Sequence, residues 1–357
     1  MNIYNVIIAG GGGTRFWPMS RQANPKQLLN LSGVDALINE TIDRIASISD
    51  KDNVFIVTNE KQEDLLKDVV NNKCNHNNIL LEPSARNTAA AIGYAALNIM
   101  KKHGDGIMCV YPADHYIKDE DSFVKTLRKA IDVATENDKL VTVGINPTFP
   151  STGYGYINFD KNVVYNNSAY DVIEFVEKPD FEKAKEYIKS NKYVWNSGMF
   201  VWKVSKIIEE FRRYIPKVYA KLEELTQYIG TDKEAEMTRK IYPTIPSISI
   251  DYGVMERSND VVVVPGEFGW NDVGSWDVLG AIYPTDDEGN IKRGETITIS
   301  TEDCIVYSED KLITTVGINN LIVVSTKDSV LVCPKDKAQD VKLIVEKLKE
   351  ENKNEYL

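Results

Sequence analysis

Histidine is scarce in this chain: three in 357 residues, His76, His103 and His115. That leaves no histidine-built metal cluster and no visible Ser/His/Asp triad. Cysteine is equally sparse. Cys74, Cys109, Cys304 and Cys333 show no C-x-x-C spacing, and Cys109 and Cys333 stand in apolar strand-like runs as small core residues, so reduced thiols and a cytoplasmic protein are expected. Positive charge is in deficit, with 42 Lys and Arg against 53 Asp and Glu and a formal net charge of −11. No basic run offsets this, which argues against nucleic-acid or anionic-membrane partners. The first residues enter a strand without a basic, then apolar, leader pattern, and no stretch approaches a membrane span.

What is present begins at once. Val6-Ile7-Ile8-Ala9 leads into Gly10-Gly11-Gly12-Gly13-Thr14-Arg15-Phe16-Trp17-Pro18, followed by Pro25-Lys26-Gln27. A glycine run lets successive N–H groups turn toward an anion with no Cβ in the way, and Arg15 and Lys26 add charge suited to phosphate oxygens. A dinucleotide fingerprint fails on spacing, because Phe16 stands where its third glycine would fall, and a Walker A loop fails because Thr14-Arg15 follows Gly13. The loop is expected to hold a triphosphate, and with this net charge the site is expected to enlist a divalent cation.

Short apolar runs at Val54–Val57, Ile79–Leu81, Ile107–Tyr111 and Leu140–Val143 alternate with helical patterns. This alternation predicts an α/β fold, a mainly parallel sheet flanked by helices. Ligands of such sheets gather beyond the carboxyl ends of the strands, where the glycine loop, Glu82-Pro83 and Pro112-Ala113-Asp114 fall. The alanine-rich pattern beginning near Asn87 predicts a closely packed helix capped by Asn87 or Thr88. From Gly153 to Asp277 the order loosens into tyrosine-rich extended segments and helices, expected as an insertion forming one wall of the site. After Pro284 the strands are short and β-branched, with an amphipathic helix over 336–350. The expected division is a catalytic domain over 1–284 and a small β module over 285–357, whose exposed strands could serve a homodimer.

Asp114 ends one strand, and Asp272 lies in Trp270-Asn271-Asp272-Val273-Gly274-Ser275-Trp276 after the run Val261–Val264. If both strands share a sheet, the carboxylates converge at its ligand edge, and such a pair makes sense around Mg²⁺, which takes few protein oxygens together with substrate phosphates. His115 reads as a packing or hydrogen-bonding neighbour. A sugar phosphate is already an anion, so it needs no strong base to attack, and catalysis would rest on positioning and charge neutralisation. Glu177-Lys178-Pro179 and Trp195-Asn196-Ser197-Gly198-Met199-Phe200 supply a carboxylate, a lysine and an amide beside aromatic residues, a set suited to a phosphorylated sugar.

These motifs, in this order over most of the chain, resemble the sugar-1-phosphate nucleotidylyltransferases, and more narrowly the bacterial mannose-1-phosphate guanylyltransferases. The resemblance implies a Rossmann-like catalytic domain with a mixed sheet and a short C-terminal β-helical module. It implies transfer of GMP from GTP to mannose 1-phosphate, giving GDP-mannose and pyrophosphate. Carried over by motif, Gly10, Gly11, Gly13, Thr14 and Arg15 would wrap the nucleotide phosphates, and Lys26 would stabilise the transferred α-phosphate. Glu82, Arg86, Asn87 and Thr88 would lie by base and ribose. Asp114 and Asp272 would hold Mg²⁺, while Gly153, Tyr154, Gly155, Glu177, Lys178 and Asn196 would hold or wall the mannosyl phosphate. Phe16, Met19, Ala90 and Ala113 depart from the commoner family residues beside the key groups, which bears on substrate fine-tuning. The cupin-type isomerase domain of longer relatives lies outside this chain, so phosphomannose isomerase activity is not expected. Two alternatives stay open: the same chemistry on another sugar phosphate and nucleotide, and a non-catalytic nucleotide-sugar-binding homologue.

Overall fold

A computed structural model describes all 357 residues. The first 284 residues carry eleven strands: β1 (Ile3–Ala9), β2 (Val54–Asn59), β3 (Ile79–Glu82), β4 (Ile107–Pro112), β5 (Tyr116–Ile117), β6 (Leu140–Ile145), β7 (Tyr156–Tyr165), β8 (Ala169–Val176), β9 (Tyr193–Lys203), β10 (Val261–Gly266) and β11 (Trp270–Asn271). Nine of them form one sheet in the order β3-β2-β1-β4-β9-β6-β10-β8-β7, and β5 pairs with β11. The strands predicted at 54–57, 79–81, 107–111 and 140–143 fall within β2, β3, β4 and β6.

The sheet is mixed. β1 lies parallel to β2 and β4, β2 to β3, and β6 to β10, whereas β9 enters antiparallel between β4 and β6. Strand β1 shows why its sequence is a nearly unbroken apolar run: Tyr4 and Val6 pack into one core, Ile7 and Ala9 into the other, so both faces are covered. The helix Asn87–His103 closes one face, with Ala89, Ala90, Ala91, Ala95 and Ala96 all buried. Its expected side-chain cap is absent. Arg86 occupies the cap position, and Asn87 takes a left-handed backbone with φ 65° and accepts the Thr88 N–H at its own side chain.

The segment after Gly153 is more than a wall. It contributes β7 to β10 to the main sheet, because its extended tyrosine-rich runs find partners far along the chain. Tyr156 at the start of β7 pairs with both Trp195 in β9 and Val176 at the end of β8. That three-way meeting places Gly155, Asn196 and Glu177 side by side.

The C-terminal module consists of β12 (Ile291–Arg293), β13 (Thr296–Ile299), β14 (Ile305–Ser308), β15 (Ile313–Val316), β16 (Leu321–Ser325) and β17 (Val330–Pro334). β12, β14 and β16 stack in parallel with Ile291, Ile305 and Ile322 in register, β13 stacks on β15, and β17 turns back antiparallel. A short 3₁₀ segment, Lys335–Asp340, precedes the helix Val341–Glu350, so the α-helix begins five residues later than its amphipathic pattern indicated. The module has no separate core. Ile305, Ile322, Leu331 and Val341 share one cluster with Phe16, Trp17 and Trp276, residues flanking the glycine loop and the Asp272 loop. No helix is long and apolar enough to cross a membrane, and all four cysteines are free.

Candidate active site

Parallel strands send their carboxyl ends to one edge, and an antiparallel strand sends its beginning there. The glycine loop and Asp114 follow β1 and β4 and Glu82 ends β3, while Asn196 lies near the start of β9 opposite Gly144. The Asp272 loop follows β10, which runs parallel to β6. The sheet thereby brings Lys26 and Asp272 together from 246 positions apart.

Lys26 is the centre of this gathering. Its side chain is only 5% exposed, and its ammonium donates to Asp114 Oδ2 at 2.8 Å and to the Asp272 carbonyl at 2.7 Å. The loop bearing it is pinned by Gln27, whose amide donates to the Ala9 carbonyl at 2.6 Å. Gly13 is required beside it: φ is 57°, and a Cβ there would stand 2.3 Å from Lys26 Cβ. Gly11, by contrast, has open space around it. Thr14 and Arg15 form the short turn Thr14–Phe16 directly after the glycines.

Burial raises the Asp114 carboxyl, but the Lys26 charge and its hydrogen bond outweigh this and hold it below the usual carboxylate range. Asp272 accepts a 2.7 Å hydrogen bond from Tyr154 at Oδ1. Its loop is sharply turned: buried Val273 has φ 47°, a strained conformation for a β-branched residue, and donates its N–H to the Asn271 side chain. His115 accepts the Trp270 indole N–H at Nδ1, and burial pushes its pKa down to about 4. A neutral imidazole anchored in this way is a hydrogen-bonding neighbour, as its sequence context indicated.

A cavity of about 200 Å³ opens beside these groups, lined by Gly153, Tyr154, Gly155, Glu177, Lys178, Asn196 and Asp272, with Trp270 and Asp251. All six residues expected at the sugar phosphate are therefore together. Tyr154 packs edge-on against Trp195 and Trp270, at ring separations of 5.0 and 5.2 Å. Gly155 permits a close approach, since a Cβ would lie 2.5 Å from Glu177 Oε2 and 3.2 Å from Asn196 Cβ. Glu177 pairs with Lys178 Nζ at 2.9 Å, and Lys178, with φ 48°, leaves its side chain 59% exposed.

Asp251 carried no sequence signal beyond being a carboxylate in an irregular stretch, yet it lines this cavity and accepts the Asn196 amide at 3.0 Å. Burial, with Glu177 nearby, pushes its pKa up to about 7. Thr88 holds the preceding segment, its hydroxyl accepting the Ile250 N–H at 2.9 Å. Glu82 stands against the glycine loop, 2.9 Å from where a Gly10 Cβ would be. Tyr242, also unforeseen, donates to Glu82 Oε1 at 2.5 Å, yet burial still pushes the carboxyl up to about 7. Arg86 keeps a buried Nε without a partner.

The Asp114 and Asp272 carboxylates are hard oxygen donors. No group of three or more His, Cys, Asp or Glu side chains gathers here, and with Asp114 Oδ2 and Asp272 Oδ1 taken by Lys26 and Tyr154, each carboxylate keeps one further oxygen, which suits an ion that retains water and phosphate ligands. A glycine loop, two aspartates linked through Lys26 and a polar cavity thus meet at one sheet edge, in the framework of a nucleotidyl transferase. Residues 4–288 match the nucleotidyl transferase family, and residues 294–348 match the MannoseP isomerase/GMP-like beta-helix domain. The chain is 41% identical to the mannose-1-phosphate guanylyltransferase RfbM of Salmonella typhimurium, over 100% of this chain and 74% of that protein. It is 41% identical to an Escherichia coli K12 mannose-1-phosphate guanylyltransferase over 99% of this chain and 75% of that one. A Thermus thermophilus crystal structure, described as a mannose-1-phosphate geranyltransferase, superposes with a TM-score of 0.87 at 34% identity, covering 98% of this chain and 100% of that one. The chain belongs to the mannose-1-phosphate guanylyltransferase family.

Proposed function

We propose that this protein transfers GMP from GTP to mannose 1-phosphate, releasing pyrophosphate and forming GDP-mannose. The observation that carries the reading is Lys26 Nζ held between the Asp114 carboxylate and the Asp272 carbonyl, beside the cavity of Glu177, Lys178 and Asn196. That placement gives a fixed charge between a phosphate-binding loop and a sugar-sized cavity.

In the proposed reaction a phosphate oxygen of mannose 1-phosphate attacks the α-phosphorus of GTP in line. The bond from that phosphorus to the bridging oxygen breaks, and its electron pair leaves with pyrophosphate. The attacking oxygen is already anionic, which fits a site whose one nearby imidazole is neutral and occupied. Gly10, Gly11, Gly13 and Thr14 present backbone N–H groups to the triphosphate, and Arg15 and Lys26 stabilise charge as it develops. Glu82, Arg86, Asn87 and Thr88 face base and ribose. Lys178 holds the sugar phosphate, Glu177 and Asn196 its hydroxyls, and Gly153, Tyr154 and Gly155 shape that wall. Asp114 and Asp272 would hold Mg²⁺, which would supply positive charge to offset that of the phosphates.

The proposed division is a catalytic unit over 1–284 and a β module over 285–357. Exposed Ile297, Ile299 and Val316 of β13 and β15 offer an apolar surface for a homodimer. Pyrophosphate release, measured across four nucleoside triphosphates and several sugar 1-phosphates, tests the activity. GTP with mannose 1-phosphate is expected to give the highest kcat/KM. Another best pair would overturn the substrate assignment, and GDP-mannose binding with no turnover would overturn the catalytic one.

A further inference from the structure

The C-terminal module reaches the glycine loop through one polar side chain. Gln339, in the 3₁₀ segment after β17, accepts a hydrogen bond from Arg15 Nη1 at 2.8 Å and donates through its amide to Ser275 Oγ at 2.6 Å. Ser275 is fully buried, donates to Asp277, and follows Asp272 by three residues. A single amide thus ties the loop carrying Arg15 to the loop carrying Asp272, from 324 residues away in the first case and 64 in the second.

The geometry also shows what this contact prevents. Gly274 lies between the Asp272 carboxylate and Arg15: a Cβ built on it would stand 3.0 Å from Asp272 Oδ2 and 3.5 Å from Arg15 Nη1. An untethered guanidinium this close to a carboxylate would pair with it and spend its charge there. A neutral acceptor holds the guanidinium without neutralising it. The module that supplies the acceptor is anchored beside the loop on either side of that segment, since the indole of Trp17 donates to the Tyr356 carbonyl at 2.9 Å and Arg21 pairs with Asp328 at 2.6 Å.

We propose that Gln339 is a positioning residue for nucleotidyl transfer, holding the Arg15 guanidinium at the triphosphate site and off the Asp272 carboxylate, so that the C-terminal module completes the active site. The inference rests on the assignment of Arg15 to the triphosphate. Gln339 is exposed, so a substitution that keeps its shape and removes its hydrogen bonds leaves the core untouched.

The test compares the full-length wild type with Gln339→Met, Arg15→Ala and the double variant by steady-state pyrophosphate release and thermal melting. Gln339→Met is expected to lower kcat/KM for GTP about tenfold, as for a lost hydrogen bond to a charged group. KM for mannose 1-phosphate and the melting temperature stay unchanged, and adding Gln339→Met to Arg15→Ala costs nothing further. Wild-type kcat/KM in Gln339→Met with a slow Arg15→Ala overturns the role of Gln339 alone. So does the same tenfold loss persisting in the Arg15→Ala background. An Arg15→Ala enzyme as fast as wild type overturns the assignment of Arg15, and that of Gln339 with it.

Discussion

Lys26 Nζ lies 2.8 Å from Asp114 Oδ2 and 2.7 Å from the carbonyl of Asp272, so one ammonium joins three loops that are remote in sequence. Removing a preorganised donor of this kind costs about 10² to 10³ in rate. Lys26→Ala is expected to lose turnover by that order with the fold intact, checked by pyrophosphate release alongside circular dichroism. Near wild-type turnover would remove Lys26 from the reaction.

The glycines of the loop are not equivalent. At Gly13 a side chain meets both a left-handed backbone and Lys26 Cβ, whereas at Gly11 it meets open space. Gly13→Ala is expected to destabilise the protein by ~1–2 kcal/mol or more, and Gly11→Ala to leave chemical denaturation midpoints unchanged. Equal midpoints for the two variants would contradict this geometry.

Asp251 holds the Asn196 amide inside the cavity proposed for the sugar phosphate. Asp251→Ala frees that amide and is expected to raise KM for mannose 1-phosphate about tenfold, with KM for GTP little changed. A rise confined to GTP would place Asp251 outside the sugar subsite.

Glu82 and Asp251 both have folded pKa values pushed up to about 7 by burial, from ordinary values of 4.5 and 3.8. Each carboxyl binds its proton more tightly in the folded state than in the unfolded one. The contribution of these two groups to the stability of the ligand-free protein is therefore fullest below pH 4 and falls as pH rises toward 7, by up to ~3 kcal/mol per group. His115, with its pKa pushed down to about 4, contributes in the opposite sense over the same window, so the test is a difference: in urea unfolding the stability of wild type relative to Glu82→Gln is expected to fall as pH rises from 4 to 7. A Glu82→Gln profile parallel to wild type would mean that Glu82 titrates normally.

Asp114 and Asp272 belong to no group of three or more metal-ligating side chains. Chelation of divalent cations is expected to abolish turnover without lowering the melting temperature of the ligand-free protein, as differential scanning calorimetry would report. A melting temperature that falls on chelation would indicate a structural metal instead.

Much of the fold was legible because its signals are local. The runs at 54–57, 79–81, 107–111 and 140–143 are apolar on both faces and too short for helices, so they could only be buried strands. β12 and β15 were not legible: Ile291–Arg293 and Ile313–Val316 are only three and four residues long with polar residues for at least half of each, and they become strands by stacking on β14 and β13. The segment after Gly153 read as a wall because β7, β8 and β9 gain their hydrogen bonds from each other and from β4, β6 and β10, partners that no local pattern identifies.

The chain by itself determined the chemistry available: a glycine turn with two cations, two acids after strands, and a carboxylate, lysine and amide in tyrosine-rich surroundings, because these depend on residue type and near spacing. Only the tertiary structure decided which of them meet. It seated Lys26 on Asp114 and the Asp272 carbonyl, brought Asp251 to Asn196 and Tyr242 to Glu82, and carried Gln339 to Arg15. The physical reason is that strand order and direction set which loops share an edge. Long-range pairing and core packing determine both, and a hydrogen bond between residues 324 positions apart leaves no periodicity in the sequence.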